Sequence, residues 1–398
     1  MSRSDPPGEG LFSKVAFVAV LAVLFAILGA CVYVIYGYVS PAPEPHAATL
    51  TPGPLPATAT PRPTAGPTPT IVPTPTLQID PTPEPTPAPV VVYQYDIQVT
   101  KGMKIAPPPG IWERFVVYDE IADARNRVYK VHLYNTQTMM DEVIATGNVR
   151  SYGCIGCGKV GLLYGDDNRI VLYDIVTHET MLGTPKNNIP RLYPFVFDNR
   201  LIYTGNDGGS NPVTKRQDIF SLYEFEFRDS SYNLWAANIE EPRELRGHGD
   251  KVVWWTSSGD EKSVHIFNIK SCKGTVISPA GVNSDHPRIY GNTVVYHSVI
   301  GGTHHIYSYD IDSGLTERVT AAGKQYSADI YEKKIVYDDL RDSDWNIYLY
   351  DRSSGRESRL TNEPHDQMSP QVYGDTVIYM DNRNYPGQDG WDIYLLRI

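Results

Sequence analysis

Several short stretches of the 398-residue chain carry residue types that chemistry uses. The first is "CIGC", with Cys154 and Cys157 three positions apart. Two thiols this close can form a small disulfide across a turn in an oxidising compartment. A zinc site needs a second pair, and outside the apolar N-terminal run Cys272 is the one thiol left. A redox motif of the thioredoxin type needs a strand leading into a helix, whereas strand-like "KVGLLY" follows here. A Cys154–Cys157 disulfide and a buried Cys272 are therefore expected. The glycines Gly156, Gly158 and Gly161 spell a dinucleotide fingerprint by letter, but no helix follows to hold a pyrophosphate. "LRGHGDKVVWW" places a Gly-His pair at His248 without the Trp-Asp that closes such repeats.

Carboxylates form the second group. "DDLRDSD" and "DNRNYPGQDGWD" place Asp339 with Arg341, and Asp381 with Arg383, in equivalent loops. Each pair is read as an ion pair that pins its loop. Asp338, Asp339, Asp342 and Asp344 together could instead offer oxygens to Ca²⁺. Their spacing fits no named calcium loop, and no other cofactor is expected. The third group is Asp285, His286, Asp329, His365, Asp366 and Gln367. These lie where one structural unit hands over to the next, and they are the candidate ligand-binding residues. No metal ligand set is assigned.

The elements that must position these residues repeat. An apolar-apolar-aromatic triplet ends at Tyr118, Tyr164, Tyr203, Trp254, Tyr296, Tyr337 and Tyr379, at successive spacings of 46, 39, 51, 42, 41 and 42. Each is followed by a second apolar run, such as "IYSYD" or "IYLYD". A period near 42 with four short strands per copy is that of a β-propeller blade. Copy three carries an insertion around 206–231, and copy four shows no clear first strand. The last copy stops at Ile398 after its third strand. Its fourth is supplied by "IQVT", ending at Thr100, which aligns with "SRLT" ending at Thr361. From there "PGIWERFVVY" runs without a gap against "PQVYGDTVIY". The expected fold is all-β: a seven-bladed propeller closed by an N-terminal strand. Most of the 28 tyrosines fall at the repeated strand positions, where they pack blade on blade.

Copies such as "IVYDDLRDSDWNIYLYDRSSGRESRLTNEPHDQMSPQVYGDTVIYMDNRN" resemble the TolB-like propeller repeat of surface and periplasmic proteins. The resemblance covers nearly all of 95–398 and implies a binding or scaffolding surface, without implying a reaction. Related propellers, the oligogalacturonate lyases, hold a metal on loop histidines, but no matching His pair is present here. Dipeptidyl-peptidase-like proteins join a hydrolase domain to a similar propeller, a domain not seen in this chain.

Ahead of the propeller, residues 15–36 are uncharged, enough to span a hydrocarbon core of about 30 Å. Arg3 and Lys14 precede them, which places residues 1–14 in the cytoplasm, a transmembrane anchor at 15–38, and the rest outside. "LGAC" also fits a lipoprotein cleavage box, and a cleaved signal is the third alternative. Residues 40–89 hold 17 prolines, mostly among Thr and Ala, a polyproline II linker (39–89) ahead of the propeller at 90–398. The net charge is −11; residues 1–89 hold five acids and three bases, so the rest carries −9. An acidic domain repels phosphate backbones and excludes nucleic acid as an expected partner. These readings imply a membrane-anchored, non-enzymatic module outside the cytoplasm, binding an envelope protein, a peptide or a glycan. The alternative is a polysaccharide-acting propeller enzyme, lyase or hydrolase, with its site at the channel mouth.

Overall fold

The computed structural model describes residues 90–91, 96–184, 191–206, 219–319, 323–385 and 390–398. The expected cytoplasmic tail, anchor and linker all lie outside these. Among the described residues, no helix is long and apolar enough to cross a membrane. They fold into seven β-sheets of four main strands each; the sheets of blades two and six carry a fifth short strand, and blade seven takes its outer strand from the N-terminal side. Blade five is representative: inner strand Asn283–Tyr290, then Thr293–Ile300, Thr303–Asp310 and outer strand Thr316–Arg318. The predicted seven-bladed, all-β propeller is the observed fold. Copy four is no exception, because Arg243–His248 forms its inner strand against Lys251–Ser258. Polar and small residues in "RELRGH" hide that strand from an apolar-run criterion, since it lines a channel rather than a core.

Six of the seven blades share a pair of rings, while in blade two Tyr164 faces Arg169 instead. The repeated aromatic on the second strand lies directly opposite a ring on the third: Tyr118 faces His132, and Trp254 faces His265. Tyr296 likewise faces Tyr307, and Tyr337 faces Tyr348. Their planes are within 23° of parallel, at centroid separations of 4.7–6.2 Å. Tyr118, Tyr296, Tyr337 and Tyr379 are fully buried, as the repeat predicts. Apolar clusters then join neighbouring blades, for example Val295 and Ile306 of blade five with Ile330, Ile335 and Tyr337 of blade six.

Closure of the ring follows the sequence alignment residue by residue. Ile97–Gln98 pairs antiparallel with the last strand, Ile97 opposite Leu395 and Gln98 opposite Tyr394. Asp392 accepts hydrogen bonds from Gln98 Nε2 (3.0 Å) and Thr100 Oγ1 (3.1 Å). Asp96 then falls where Glu357 falls in blade six. In blade six, Glu357 accepts from Tyr337 Oη and from the Arg341 guanidinium, which also bonds Asp339 at 2.6 Å. In blade seven, Asp96 accepts from Tyr379 Oη (2.7 Å) and Arg383 (2.6 Å), and Arg383 also bonds Asp381 at 2.6 Å. The expected Asp339–Arg341 and Asp381–Arg383 pairs are both present, each as part of a Tyr–Asp–Arg–acid cluster. The calcium alternative is not supported. Asp338 bonds the Ser327 and Ser369 amides, Asp342 bonds Tyr348, and Asp344 is exposed, so the four carboxylates do not converge.

Replacing Asp96 with Ala removes the acid that Arg383 and Tyr379 share across the closure. We expect a loss of about 3 kcal/mol, as for breaking a largely buried ion pair. Denaturant unfolding of the variant measures it, and wild-type stability would show that the closure does not depend on this residue.

Candidate active site at the channel mouth

The inner strands line a central channel, and a shared irregularity controls what they present to it. In six blades the pairing of inner and second strands slips, between Arg243 and Arg246, Asp285 and Arg288, Gln325 and Ala328, Met368 and Gln371, Leu192 and Phe195, and Ala106 and Gly110. Such a bulge re-aims a side chain. Tyr193, Glu244, His286 and Ser369, at these bulges, have φ between 53° and 54°. A left-handed conformation costs a non-glycine residue roughly 1–2 kcal/mol and needs support from its surroundings. Carboxylates of the preceding blade supply some of that support: Asp338 accepts the Ser369 amide at 2.9 Å. Asp119 does the same for Ser151 and Tyr152 at the inner edge of blade two.

Below the bulge, every second residue faces the channel. Blades four to seven therefore contribute aligned triplets: Glu244–Arg246–His248, His286–Arg288–Tyr290, Ser327–Asp329–Tyr331 and Ser369–Gln371–Tyr373. The first members lie at one mouth, the second at mid-channel and the third at the opposite mouth.

At the first mouth, blade five gathers a connected set. Asp285 is 3% exposed and takes both its neighbours through one oxygen: His286 Nδ1 and His297 Nδ1 each lie 2.7 Å from Oδ1. Its other oxygen receives the Lys262 ammonium at 2.6 Å. Burial alone would raise the Asp285 pKa, but the bonds from His286, His297 and Lys262 outweigh it and hold the carboxyl well below its ordinary range. An ionised carboxylate only accepts, so both Nδ1 atoms carry protons. His297 Nε2 meets His304 Nδ1 at 2.8 Å. Burial, then the neighbouring His297 and Lys324, push the His304 pKa below 6.5. Tyr326 packs on all three imidazoles at 4.5–6.0 Å, and burial raises its phenol to about 12. Glu244 approaches His286 Nε2 at 3.8 Å; Arg288, His286 and Arg246 overcome its burial and keep it ionised. The arrangement is an Asp–His–His chain able to move a proton between the mouth and a buried anion.

The predicted binding residues divide. Asp285 and His286 are in this set, and Asp329 lies at mid-channel, its pKa raised by burial. Of the other three, His365 and Asp366 lie in the connection into blade seven and Gln367 opens its inner strand. His365 is exposed, Asp366 accepts the Trp345 amide at 3.0 Å, and the buried Gln367 amide bonds the His365 carbonyl at 2.8 Å. The expected disulfide is absent. Cys154 and Cys157 are free thiols, Cys154 packed in the core between blades two and three with burial pushing its pKa up to about 12. Cys272 is exposed, contrary to expectation, because it lies in the turn before Lys273–Val276. Sequence reading missed Lys262, His297, His304, Arg246 and Arg288. Extending the "PQVY"–"PGIW" alignment to "HPRIY" and "ELRGH" would have placed both arginines on the channel.

Asp285 is ionised in the folded state at a pKa lower than its unfolded value of about 4, so its contribution to stability is present above that pH and lost below it. Asp285→Asn should flatten the acid limb of a stability-against-pH curve measured by thermal unfolding. A curve parallel to that of wild type would show the carboxylate to be unimportant to the fold.

The sequence matches no protein-family model and no curated protein. The TolB-like resemblance thus has no sequence match behind it, whereas the propeller itself is shown by the structure. Solved structures share that fold at TM-scores just above one half. An acylaminoacyl peptidase from Pyrococcus horikoshii is 14% identical, with 70% of this chain aligned to 49% of that one at a TM-score of 0.54. The chain thus spans about half the length of that peptidase. The β-propeller domain of the Trilobed protease from Pyrococcus furiosus is 12% identical over 75% and 94%, TM-score 0.54. An oligogalacturonate lyase in complex with manganese is 11% identical over 77% of this chain and 93% of its own, also at 0.54. At these identities the likeness is one of fold. All three are enzymes or parts of enzymes, a finding that goes against the expectation of a non-enzymatic scaffold, which is withdrawn.

Proposed function

We propose that this propeller is an enzyme that cleaves an acidic polysaccharide by elimination, with its site at the mouth formed by blades four to six. The observation that carries the reading is the Asp285–His297–His304 chain, which ends on a partly exposed histidine of lowered pKa. The lyase with the same fold, aligned over 93% of its length, supports the choice of substrate class.

In a chain of uronic acids, the proton next to the carboxylate is the acidic one. With Asp285 fixing the Nδ1–H of His297, His297 Nε2 accepts from His304 Nδ1–H, and His304 Nε2 is the base. It takes the proton, the carbon–carbon double bond forms, and the glycosidic C–O bond breaks. Tyr326, protonated at neutral pH, gives a proton to the departing oxygen. The positive charge arriving on His304 is shared with His297 and held by Asp285. Lys324, whose charge is felt at His304, and Lys262 provide cations for the substrate carboxylate, although the chain as a whole is acidic.

The lyase of the same fold is in complex with manganese, and this mouth holds donors of the kind a metal takes. Asp285, His286 and His297 place one donor atom each within 4.8 Å of one another, a nitrogen and oxygen set of a type that suits Mn²⁺. Those donors are already engaged: Oδ1 by two imidazole N–H groups, Oδ2 by an ammonium, and His297 Nε2 by His304. A cation would have to displace Lys262 and strip two protons, so the residues do not fit a metal and no step is assigned to one. The N-terminal apolar segment supports placing this enzyme outside the cytoplasm, where polysaccharides are met.

His304→Ala should lower turnover on polygalacturonate by about 10²–10⁴-fold, the usual size of a general-base contribution. Wild-type kcat/KM should fall on the acid side of a midpoint below pH 6.5. The ultraviolet absorbance of the unsaturated product follows both. Unchanged turnover in the variant, or no turnover of any uronate polymer by the wild type, would overturn the proposal.

A further inference from the structure

The mid-channel layer faces a separate space. On the far side of Arg246 and Arg288 from Asp285 lies a cavity of about 300 Å³, within the size range of small-ligand sites. Its floor is the two guanidiniums, contributed from the same strand position of adjacent blades. Each makes a hydrogen bond to a main-chain carbonyl, Arg246 to Leu245 at 2.8 Å and Arg288 to Pro287 at 3.0 Å. Among the described residues, neither has a carboxylate within ordinary hydrogen-bond distance. The nearest to Arg288 are Glu244 at 3.7 Å and Asp329 at 4.0 Å. Burial first, and then the charge of Arg288, bring the Arg246 pKa down to about 10, against the opposing pull of Glu244 and Asp329. Ordinary structural arginines bond acids closely, as Arg341 and Arg383 do in this protein at 2.6 Å.

The rim is aromatic. His248, Tyr290, Tyr331 and Tyr373 form a chain of tilted rings with centroids 4.6–4.7 Å apart, and Trp112 and Phe197 line the same cavity. Gly247 allows this: a Cβ there would collide with the Phe197 ring.

We propose that this cavity is a binding site for a small cyclic carboxylate, its carboxylate shared between Arg246 and Arg288 and its ring lying against the tyrosine rim. A guanidinium pair recognises the planar anion by paired N–H donors, and aromatic faces take the apolar face of a ring. The site lies beyond the arginine layer from His304, so it stands independently of the reaction proposed at the other mouth.

Glucuronate and benzoate serve as ring-bearing probes and acetate as a ringless carboxylate, with binding read by calorimetry and by tryptophan fluorescence. Wild type should bind both ring-bearing probes at least tenfold more tightly than acetate. Arg246→Gln and Arg288→Gln should each weaken glucuronate at least tenfold. Tyr331→Leu, a rim change that leaves the channel charges alone, should weaken it severalfold and serves if an arginine variant fails to fold. His304→Ala should bind glucuronate as wild type does, which separates this site from the catalytic reading. No binding by wild type, binding indifferent to both the arginine and tyrosine changes, or loss in His304→Ala would each overturn the proposal.

Discussion

The first and last sheets of this ring are joined by one short strand, Ile97–Gln98, held in place by acids. Asp392 ties Gln98 and Thr100 to the last blade, while Asp96 takes the place that Glu357 holds within blade six. A blade lacking its outer strand would expose the main-chain donors and acceptors of Asp392–Arg397 to water or to another chain. Blades touch mainly their neighbours, and the closing strand adds to the apolar contact between the first and last of them.

Within that frame, the irregular positions do the work of presenting chemistry. The inner-strand bulges cost backbone strain, and neighbouring blades offset it by donating carboxylates to the strained amides. In blade five, His297 takes the strand position that Asp119 and Asp338 hold in blades one and six. The chain from Asp285 through His297 to His304 therefore occupies a place where other blades keep a purely structural contact.

The two mouths differ in character because strand alternation passes through three layers. Titratable groups gather at one end, two arginines sit in the middle, and aromatic rings close the other. The overall acidity of the chain reveals nothing of this, since the channel arginines are too few to alter the net charge. The same holds for any small polar cluster, which is a handful of residues set against hundreds of packing ones.

Much of the fold was legible in the order of residues alone. The period near 42, the aromatic of each second strand and the match of "IQVT" to "SRLT" determined the blade count and the closure, because strand pairing and inward-facing rings are local and repeated. Asp339–Arg341 and Asp381–Arg383 were readable for the same reason. The site was legible only in part. Asp285 and His286 are adjacent in the chain and were found, whereas Lys262, His297 and His304 come from three different strands and meet only once the sheets are packed. The free thiols, the role of Gln367 and the pairing of Arg246 with Arg288 were likewise decided by tertiary structure. Which groups share a channel depends on how seven separate sheets are turned around one axis, and no spacing within a single blade encodes that.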